Sequence, residues 1–133
     1  MLRTVNLRDY ILPNPVKVHA HDSILDAMKV IIDNKISGVC VVDEKNNLVG
    51  ILSELDCLRA ALGAVYNRTS IGAVRDYMAS DNLVVANPNE DIVDVAQDML
   101  AKNKRRRPVV ENGKLIGQIT CRQLLQAVLD FDQ

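Results

Sequence analysis

Aromatic side chains are scarce in this sequence of 133 residues, which has no tryptophan, one phenylalanine and three tyrosines. Because 48% of the residues are nevertheless hydrophobic, we expect an aliphatic core. No run approaches the ~18 apolar residues of a membrane span, and the first ten residues lack the apolar stretch of a signal peptide. A cytoplasmic location without membrane association is therefore expected.

An excess of charge of one sign and a cysteine framework are also missing. Sixteen basic residues face seventeen acidic ones, so wholesale polyanion binding is not expected and any anion site must be local. The three cysteines, Cys40, Cys57 and Cys121, are odd in number and show no CxxC spacing. Neither disulfides nor a zinc site are expected, and we interpret the cysteines as reduced, partly buried thiols.

The sequence does contain an internal duplication. LRDYI recurs later as VRDYM, and two longer stretches follow each copy in the same order. The duplication predicts two repeats, residues 1–66 and 67–133. The aligned stretches are residues 7–11 with 74–78, 23–35 with 91–103, and 38–62 with 106–129.

Each repeat is predicted to fold in the order β-α-β-β-α, an α/β (α+β) architecture. The first helix carries an apolar stripe at helical spacing, and Ser23 with Asp26 resembles a capping box at its start. Two strands joined by a polar turn follow, and a last helix closes the repeat, with Gly63 as the expected stop of the first such helix. The stripes are Ile24, Ala27, Met28, Ile31 and Ile32 in the first repeat and Ile92, Val95, Ala96, Met99 and Leu100 in the second.

This ordered duplication, together with NKISGVCVVD, KNKRRRPVVE and two G-x-x-S/T strand ends, resembles a tandem pair of cystathionine-β-synthase (CBS) domains, a Bateman module. The resemblance covers nearly the whole chain. It implies two repeats packed with pseudo-two-fold symmetry, with clefts between them that bind adenine nucleotides or related adenosyl ligands.

The ligand-binding signature of that family, G-h-x-(S/T)-x-x-D, is complete from Gly50 through Ser53 to Asp56. A hydroxyl at a helix N-terminus can donate to a phosphate or ribose oxygen, and the free N–H groups there favour an anion. A carboxylate one turn later can accept both ribose hydroxyls. Gly50 would let a ligand or a neighbouring strand approach closely. The alternative interpretation of Ser53 and Asp56 is an ordinary capping box.

The second repeat departs from this signature, because Thr120 keeps the hydroxyl but Gln123 replaces the aspartate. A hydrogen bond to a charged group is worth about 1.5–3 kcal/mol and a neutral one about 0.5–1.5 kcal/mol, so the swap should weaken ribose binding roughly tenfold. By resemblance, the better site also includes Val18, His19, Ala20, Gly38, Val39, Cys40 and Pro108, and the weaker site includes Val85, Ala86, Asn87 and Gln123.

A run of cations, Lys102 and Lys104 to Arg107, directly precedes Pro108 and the second predicted strand of the second repeat. The first repeat has Ile36, Ser37, Gly38 and Val39 where Lys104 to Arg107 stand, so the fold does not require the charges. Three interpretations stay open: a phosphate clamp formed by Arg105, Arg106 and Arg107, a solvated or interface cluster, and a nucleic-acid patch. The scarcity of aromatic residues argues against single-stranded nucleic acid.

Metal binding and catalysis have little support. His19 and His21 would share one face of a strand, but no cysteine or carboxylate cluster completes a metal site. No G-x-S-x-G nucleophile motif and no phosphate loop occur. We therefore expect no enzyme, no catalytic residue, no metal and no obligatory cofactor.

The resemblance implies a regulatory or sensor module that binds AMP, ADP, ATP or a related adenosyl ligand between its repeats and signals to a partner chain. One alternative is an interaction module without a nucleotide ligand. Another is a nucleic-acid-binding module that uses Lys102–Arg107. The resemblance also implies a homodimer through the last helix of each repeat, with Leu58, Ala61, Leu62, Leu125, Val128 and Leu129 as candidate contacts.

Overall fold

The computed structural model describes residues 5–132 and has a mixed α+β architecture, as predicted. The helices are α1 (Ile24–Asn34), α2 (Glu54–Asn67), α3 (Ile92–Ala101) and α4 (Cys121–Phe131). The strands are β1 (Leu12–Pro13), β2 (Lys17–His19), β3 (Gly38–Val42), β4 (Leu48–Ser53), β5 (Arg106–Glu111) and β6 (Lys114–Thr120). Two short 3-10 helices span Leu7–Asp9 and Val74–Asp76.

Contacts divide the chain into two compact units that do not coincide with the repeats. The first unit is Val16–Leu83, and the second combines the chain up to Pro15 with the chain from Val84 onward. The start of the first repeat therefore packs in the second unit. The boundary between residues 66 and 67 describes the duplication in the sequence and stays a prediction.

The first unit is built on a three-stranded sheet in the order β2-β3-β4, with β2 parallel and β4 antiparallel to β3. Helices α1 and α2 bury one face each in an aliphatic core, as the shortage of aromatic residues predicted. The buried members of this core are Val18, Ile24, Ala27, Ile31, Val39, Val41, Leu52, Cys57, Ala60 and Val74.

The second unit has a sheet in the order β1-β6-β5, with both neighbours antiparallel to β6. The stretch NLVVANP, where the β-α-β-β-α order places the first strand of the second repeat, contributes a single parallel bridge from Ala86 to Val109. The edge position on β6 belongs instead to β1, a strand that the sequence did not predict. The buried members of its core are Leu7, Ala86, Ile92, Val95, Met99, Val109, Ile119 and Ala127.

The two RDY segments are exchanged between the units. The Leu7 N–H donates to the Glu90 carbonyl at 3.0 Å in the second unit, and the Val74 N–H donates to the Asp22 carbonyl at 2.8 Å in the first. The chain that follows each segment pairs with the strand that contains the signature glycine: Pro13 lies opposite Gly117, and Ala79 bridges Ile51 next to Gly50.

That contact explains the two glycines. A Cβ built on Gly50 would lie 2.9 Å from the Ala79 carbonyl oxygen, and one on Gly117 would lie 2.7 Å from the Leu12 carbonyl oxygen. Real Cβ atoms essentially never come this close to backbone, so both positions need glycine. Of the two interpretations of Gly50, the close approach of a neighbouring strand is the one seen here.

Three local predictions need correction. Helix α2 continues through Gly63 to Asn67, and its C-cap is Arg68, whose left-handed backbone (φ 52°) directs its N–H to the Ala64 and Val65 carbonyls. Arg68 therefore takes the left-handed conformation that was expected of Gly63.

The apolar stripes are also narrower than predicted, because Ile32 and Leu100 at their far edges are exposed. At the start of α1, Ser23 does form the cap, but its Oγ accepts from the Leu25 N–H at 3.1 Å rather than from Asp26.

Candidate functional site

Ser53 and Asp56 form a reciprocal capping box at the start of α2. The Asp56 N–H donates to Ser53 Oγ at 3.1 Å, and the Ser53 N–H donates to Asp56 Oδ2 at 2.9 Å. Arg59 Nη2, one turn further along, donates to Asp56 Oδ1 at 2.6 Å. The Asp56 side chain is only 12% exposed. Both carboxylate oxygens therefore have an internal partner, as the capping-box interpretation requires.

Thr120 and Gln123 repeat this arrangement at the start of α4. The Thr120 N–H donates to Gln123 Oε1 at 3.0 Å, and the Thr120 hydroxyl bonds the same oxygen. The amide thus replaces the carboxylate as a cap but carries no charge. Gln126, which stands where α2 has Arg59, bonds Asp130 on its own helix instead. The first turn of α4 has no acidic residue, whereas α2 has two.

The register of β3 and β4 places Gly38 directly opposite Ser53. Gly38 is half-buried, and a Cβ there would lie 3.3 Å from the Leu52 carbonyl oxygen, so the sheet edge beside Ser53 has no side chain of its own. Val39 and Cys40 follow it into the buried part of β3. Of these three predicted site residues, only Gly38 is open to a ligand, and the other two support the strand.

The stretch from Val18 to Ala20 lies at the end of β2 in the same unit. Val18 is a core residue, whereas His19 and Ala20 are half-buried. The His19 N–H donates to Asp22 Oδ2 at 2.8 Å, and the Ala20 N–H donates to the Val42 carbonyl at 3.1 Å. These two backbone donors are already used within the unit, so contact with a base would have to come from their side chains and carbonyls.

The corresponding residues of the second unit are arranged differently. Ala86 is fully buried and Pro108 lies in the buried part of β5. Val85 and Asn87 are exposed, and Asn87 Oδ1 accepts from the Asn89 N–H at 2.8 Å in its own turn. The weaker predicted site is therefore lined by a core residue and two exposed residues.

The cation run is not uniform. Arg107 is buried, with a side chain only 5% exposed, and its Nη2 donates to Asp98 Oδ2 at 2.6 Å. Lys102 Nζ donates to the same oxygen at 2.8 Å. The hydrogen bonds from Lys102 and then Arg107 lower the pKa of Asp98 below its usual range. The sequence did not indicate a role for Asp98, because a charged residue between the apolar positions of an amphipathic helix is ordinarily solvated.

Lys104, Arg105 and Arg106 are exposed, and none of their side chains forms an ion pair within the described range 5–132. Their backbone is nevertheless held. The Lys104 N–H donates to the Met99 carbonyl at 2.9 Å, and the Arg105 carbonyl accepts from the Cys121 N–H at 3.0 Å. Arg106 lies opposite Thr120 in the β5–β6 ladder. Two guanidinium groups are thus carried by fixed backbone at the start of α4.

The two histidines lie close together at the end of β2. Their ring centroids are 5.5 Å apart, and His21 Nε2 lies 3.7 Å from Asp22 Oδ1. Within residues 5–132, no cluster of three or more histidine, cysteine, aspartate or glutamate side chains could hold a metal ion. The cysteines are thiols: Cys40 and Cys57 are buried and Cys121 is exposed. No helix in the described part of the chain is long and apolar enough to cross a membrane.

The CBS domain family matches residues 7–63 and 74–130, so the chain belongs to the CBS-domain family and contains a tandem pair of these domains. The uncharacterized protein MJ1225 of Methanocaldococcus jannaschii is 31% identical over 86% of this chain, which spans 39% of that protein's length. The matched regions are CBS domains and not catalytic domains.

Solved CBS-pair structures share the fold. CBSX2, a CBS-pair protein from Arabidopsis thaliana, was solved in complex with AMP and aligns with a TM-score of 0.81 and 30% identity over 96% of this chain and 98% of its own. The CBS domain pair of protein MJ0100, solved with 5'-methylthioadenosine and S-adenosyl-L-methionine, aligns with a TM-score of 0.72 and 25% identity over 93% of this chain and 99% of its own.

Proposed function

We propose that this protein is a regulatory module that binds an adenine nucleotide, or a related adenosyl ligand, and signals its occupancy to a partner chain. The observation that carries the proposal is the Ser53–Asp56 pair at the start of α2, which completes the family signature. The similarity to CBSX2, solved with AMP, supports it. The CBS pair of MJ0100 indicates that adenosyl ligands without phosphates are also candidates.

The hydrogen-bonding capacity of the pair supports a ligand role beyond capping. A carboxylate offers about four acceptor positions, and Asp56 uses one on each oxygen, so two positions remain for ribose hydroxyls. Ser53 accepts one hydrogen bond through Oγ, and its own hydroxyl hydrogen can still donate to a ligand oxygen. Capping and ligand binding are therefore compatible at these two residues.

In the second unit we propose that Arg105 and Arg106 bind phosphate groups near Thr120. Guanidinium groups form bidentate hydrogen bonds with phosphate, and backbone contacts on both sides of this pair reduce the entropy lost when they bind. Arg107 was predicted to share this role, but its buried guanidinium is paired with Asp98, whose side chain is 41% exposed. The proposal for phosphate binding therefore rests on the two exposed arginines.

A thermal-shift screen with AMP, ADP, ATP, S-adenosylmethionine and a short RNA tests the proposal. A ligand at 100 times its dissociation constant stabilises the folded state by about 2.7 kcal/mol, which is a readily measured shift in melting temperature. We expect at least one adenosyl compound to raise the melting temperature. Stabilisation by RNA alone would support the nucleic-acid alternative.

Charge reversal tests the phosphate contacts. The double variant Arg105→Glu/Arg106→Glu should weaken ATP binding much more than adenosine binding, because only ATP offers phosphates. A matched control, Lys29→Glu/Lys35→Glu in α1 and its cap, changes the net charge equally but at the other unit. Equal losses for ATP and adenosine, or equal losses in the control, would exclude a phosphate contact at Arg105 and Arg106.

One observation favours a second function, an interaction module without a nucleotide. Every polar group of the Ser53–Asp56 pair that caps α2 has an internal partner, so the pair is complete without a ligand. Failure of every adenosyl compound in the screen would favour this alternative.

In both cases we propose a homodimer through α2 and α4, whose outer faces expose Leu58, Leu62, Leu125, Val128 and Leu129. The cytoplasmic location stays a prediction from the sequence.

A further inference from the structure

Arg59 is hydrogen-bonded to the carboxylate oxygen of Asp56 that the capping box leaves unused. Asp56 Oδ2 accepts from the Ser53 N–H at 2.9 Å as part of the cap. Asp56 Oδ1 has no part in the cap, and it accepts from Arg59 Nη2 at 2.6 Å. In the proposed function this carboxylate binds the ribose hydroxyls. The oxygen that the cap leaves to a ligand is therefore already bonded to a cation of the same helix.

Capping does not require Arg59, as the second unit demonstrates. The cap at the start of α4 has the same backbone hydrogen bond, from the Thr120 N–H to Gln123 Oε1 at 3.0 Å. The residue at the position of Arg59 is Gln126 there, and its side chain bonds Asp130 further along α4. The ion pair is thus an addition to the first unit that the fold of the helix start does not explain.

The ion pair can open at low cost, because Arg59 lies at the surface. Its side chain is 69% exposed, whereas that of Asp56 is 12% exposed. Water can solvate the guanidinium once it leaves the carboxylate, and ion pairs with an exposed partner contribute little stability. The 2.6 Å pair of Asp98 and Arg107 differs, because opening it would leave the buried Arg107 side chain without a partner. At Asp56 the carboxylate is the buried partner, and ribose hydroxyls can replace the guanidinium there.

We infer that Arg59 competes with the ribose hydroxyls of the ligand for Asp56. The inference rests on the proposed function and adds a residue that sets the affinity of the first unit. The charge-assisted bond from Arg59 occupies an acceptor position on Oδ1 and compensates the charge that strengthens hydrogen bonds from hydroxyl groups. Because hydroxyls bind the uncompensated carboxylate more tightly, ligand binding shifts the ion pair towards its open state.

Release of Arg59 reports ligand occupancy at the surface of α2. Arg59 is the only cation of this helix, and it lies one turn from Leu55 and Leu62, which are both exposed. In the empty protein Asp56 compensates its charge. After release the charge is uncompensated beside these apolar side chains. Binding at a mostly buried carboxylate thereby changes the charge that α2 presents to a partner chain.

Calorimetric titration with adenosine tests the competition, because adenosine has no phosphate that Arg59 could attract. We expect Arg59→Gln to lower the dissociation constant of adenosine about three- to fivefold, which is the upper range for an ion pair with an exposed partner. A purely structural role of Arg59 would not tighten binding. Lys29→Gln on α1 is the matched control, since it also removes one exposed cation from the first unit. We expect this control to bind adenosine as wild type does.

The NMR signals of the arginine side chains measure the release in wild type. Arg59→Lys, which keeps the charge, identifies the Nε–H signal of Arg59 by its disappearance, so the measurement does not depend on the folding of Arg59→Gln. We expect adenosine at saturation to shift this signal in wild type. A signal that does not move at saturation would overturn the inference.

The titrations also separate the competition from the proposed function. Adenosine binding that is unchanged or weaker in Arg59→Gln, or undetectable in both proteins, would overturn the inference. Weaker binding of AMP with unchanged binding of adenosine would make Arg59 a phosphate contact instead. If wild type binds AMP, these results contradict only the competition at Asp56. If neither protein binds AMP or adenosine, the proposed function fails as well.

Discussion

The two units of the molecule share the hairpin and the two helices of the repeat, but at corresponding positions one unit is charged where the other is neutral. In the first unit α2 carries Asp56, a carboxylate that is mostly buried, in its first turn, and the start of β3 is uncharged. In the second unit α4 carries neutral Gln123 in its first turn, and Arg105 and Arg106 lie at the start of β5. Both helix starts are capped, although only the cap at Asp56 is charged, so the fold requires the capping hydrogen bonds and not the charge.

A second difference between the units concerns a pair of apolar side chains in one and a pair of charged side chains in the other. In the sequence alignment Val30 and Val39 of the first repeat correspond to Asp98 and Arg107 of the second. The valines pack in an aliphatic core, whereas the charged residues form a 2.6 Å ion pair. An apolar pair of similar volume is often as stable as a buried ion pair, or more so. The pair is therefore not explained by stability alone.

The largest effect on the free energy of unfolding is expected at Gly50 and Gly117, the glycines that the two units share. Gly117→Ala should destabilise the protein by about 1–3 kcal/mol, because its Cβ would press on Ile11 and on the Leu12 carbonyl. Gly50→Ala should cost somewhat less, since a flexible methionine side chain forms part of its contact. Urea denaturation measures both changes.

Gly63→Ala is the control, because nothing lies within 4 Å of its Cβ position. Alanine within a helix should stabilise the protein by about 0.5–1 kcal/mol. If all three substitutions had the same effect, the exchanged segments would not be what requires glycine at positions 50 and 117.

The ion pair of Asp98 and Arg107 can be replaced by valines, the residues at the corresponding positions of the first repeat. Asp98→Val leaves the buried Arg107 without its partner and should lower the urea midpoint the most. Arg107→Val should lower it less, because Asp98 keeps Lys102. The double variant should recover most of the loss, and a double-mutant cycle measures the coupling. Additive losses would mean that the two side chains do not act as a pair.

A smaller effect is expected in the pH dependence of stability. The pKa of Asp98 is lowered in the folded state, so its pairing contributes stability above the unfolded pKa of about 3.9 and loses that contribution as the pH falls through the lower, folded pKa. The stability of wild type relative to the Asp98→Val/Arg107→Val variant should therefore decline below about pH 4. Parallel curves from neutral pH to about pH 2 would contradict this assignment.

Much of the fold could be predicted because its signals are local. Periodicity and turn residues predicted all four helices and the two consecutive strands between the helices of each repeat. The exchange of the RDY segments could not be predicted, because it depends on which core each segment meets after folding. For the same reason, the pairing of β1 with the edge of β6 could not be predicted from local patterns.

The candidate site was predicted less completely than the fold. The residue types at Ser53 and Asp56 allowed a capping box to be predicted there, and Gln123 in place of the aspartate predicted an unequal pair of helix starts, but the cap formed by Thr120 and Gln123 was not predicted. The burial of Arg107 was missed, because a run of cations is ordinarily solvated and its partner Asp98 lies on another element. Arg59 was also missed, because its only signal in the sequence is its i,i+3 spacing from Asp56, which is common on exposed helix faces.

The proposed difference between the two units as ligand sites depends most directly on the charge of Asp56. Asp56→Gln gives the first unit the residue of the second, which caps its helix without a charge. Calorimetric titration of wild type and this variant with AMP should show binding weakened about tenfold by the substitution, while a melting curve shows that the capped helix is retained. Equal affinity of both proteins for AMP would contradict the claim that Asp56 distinguishes the two units as a ligand site.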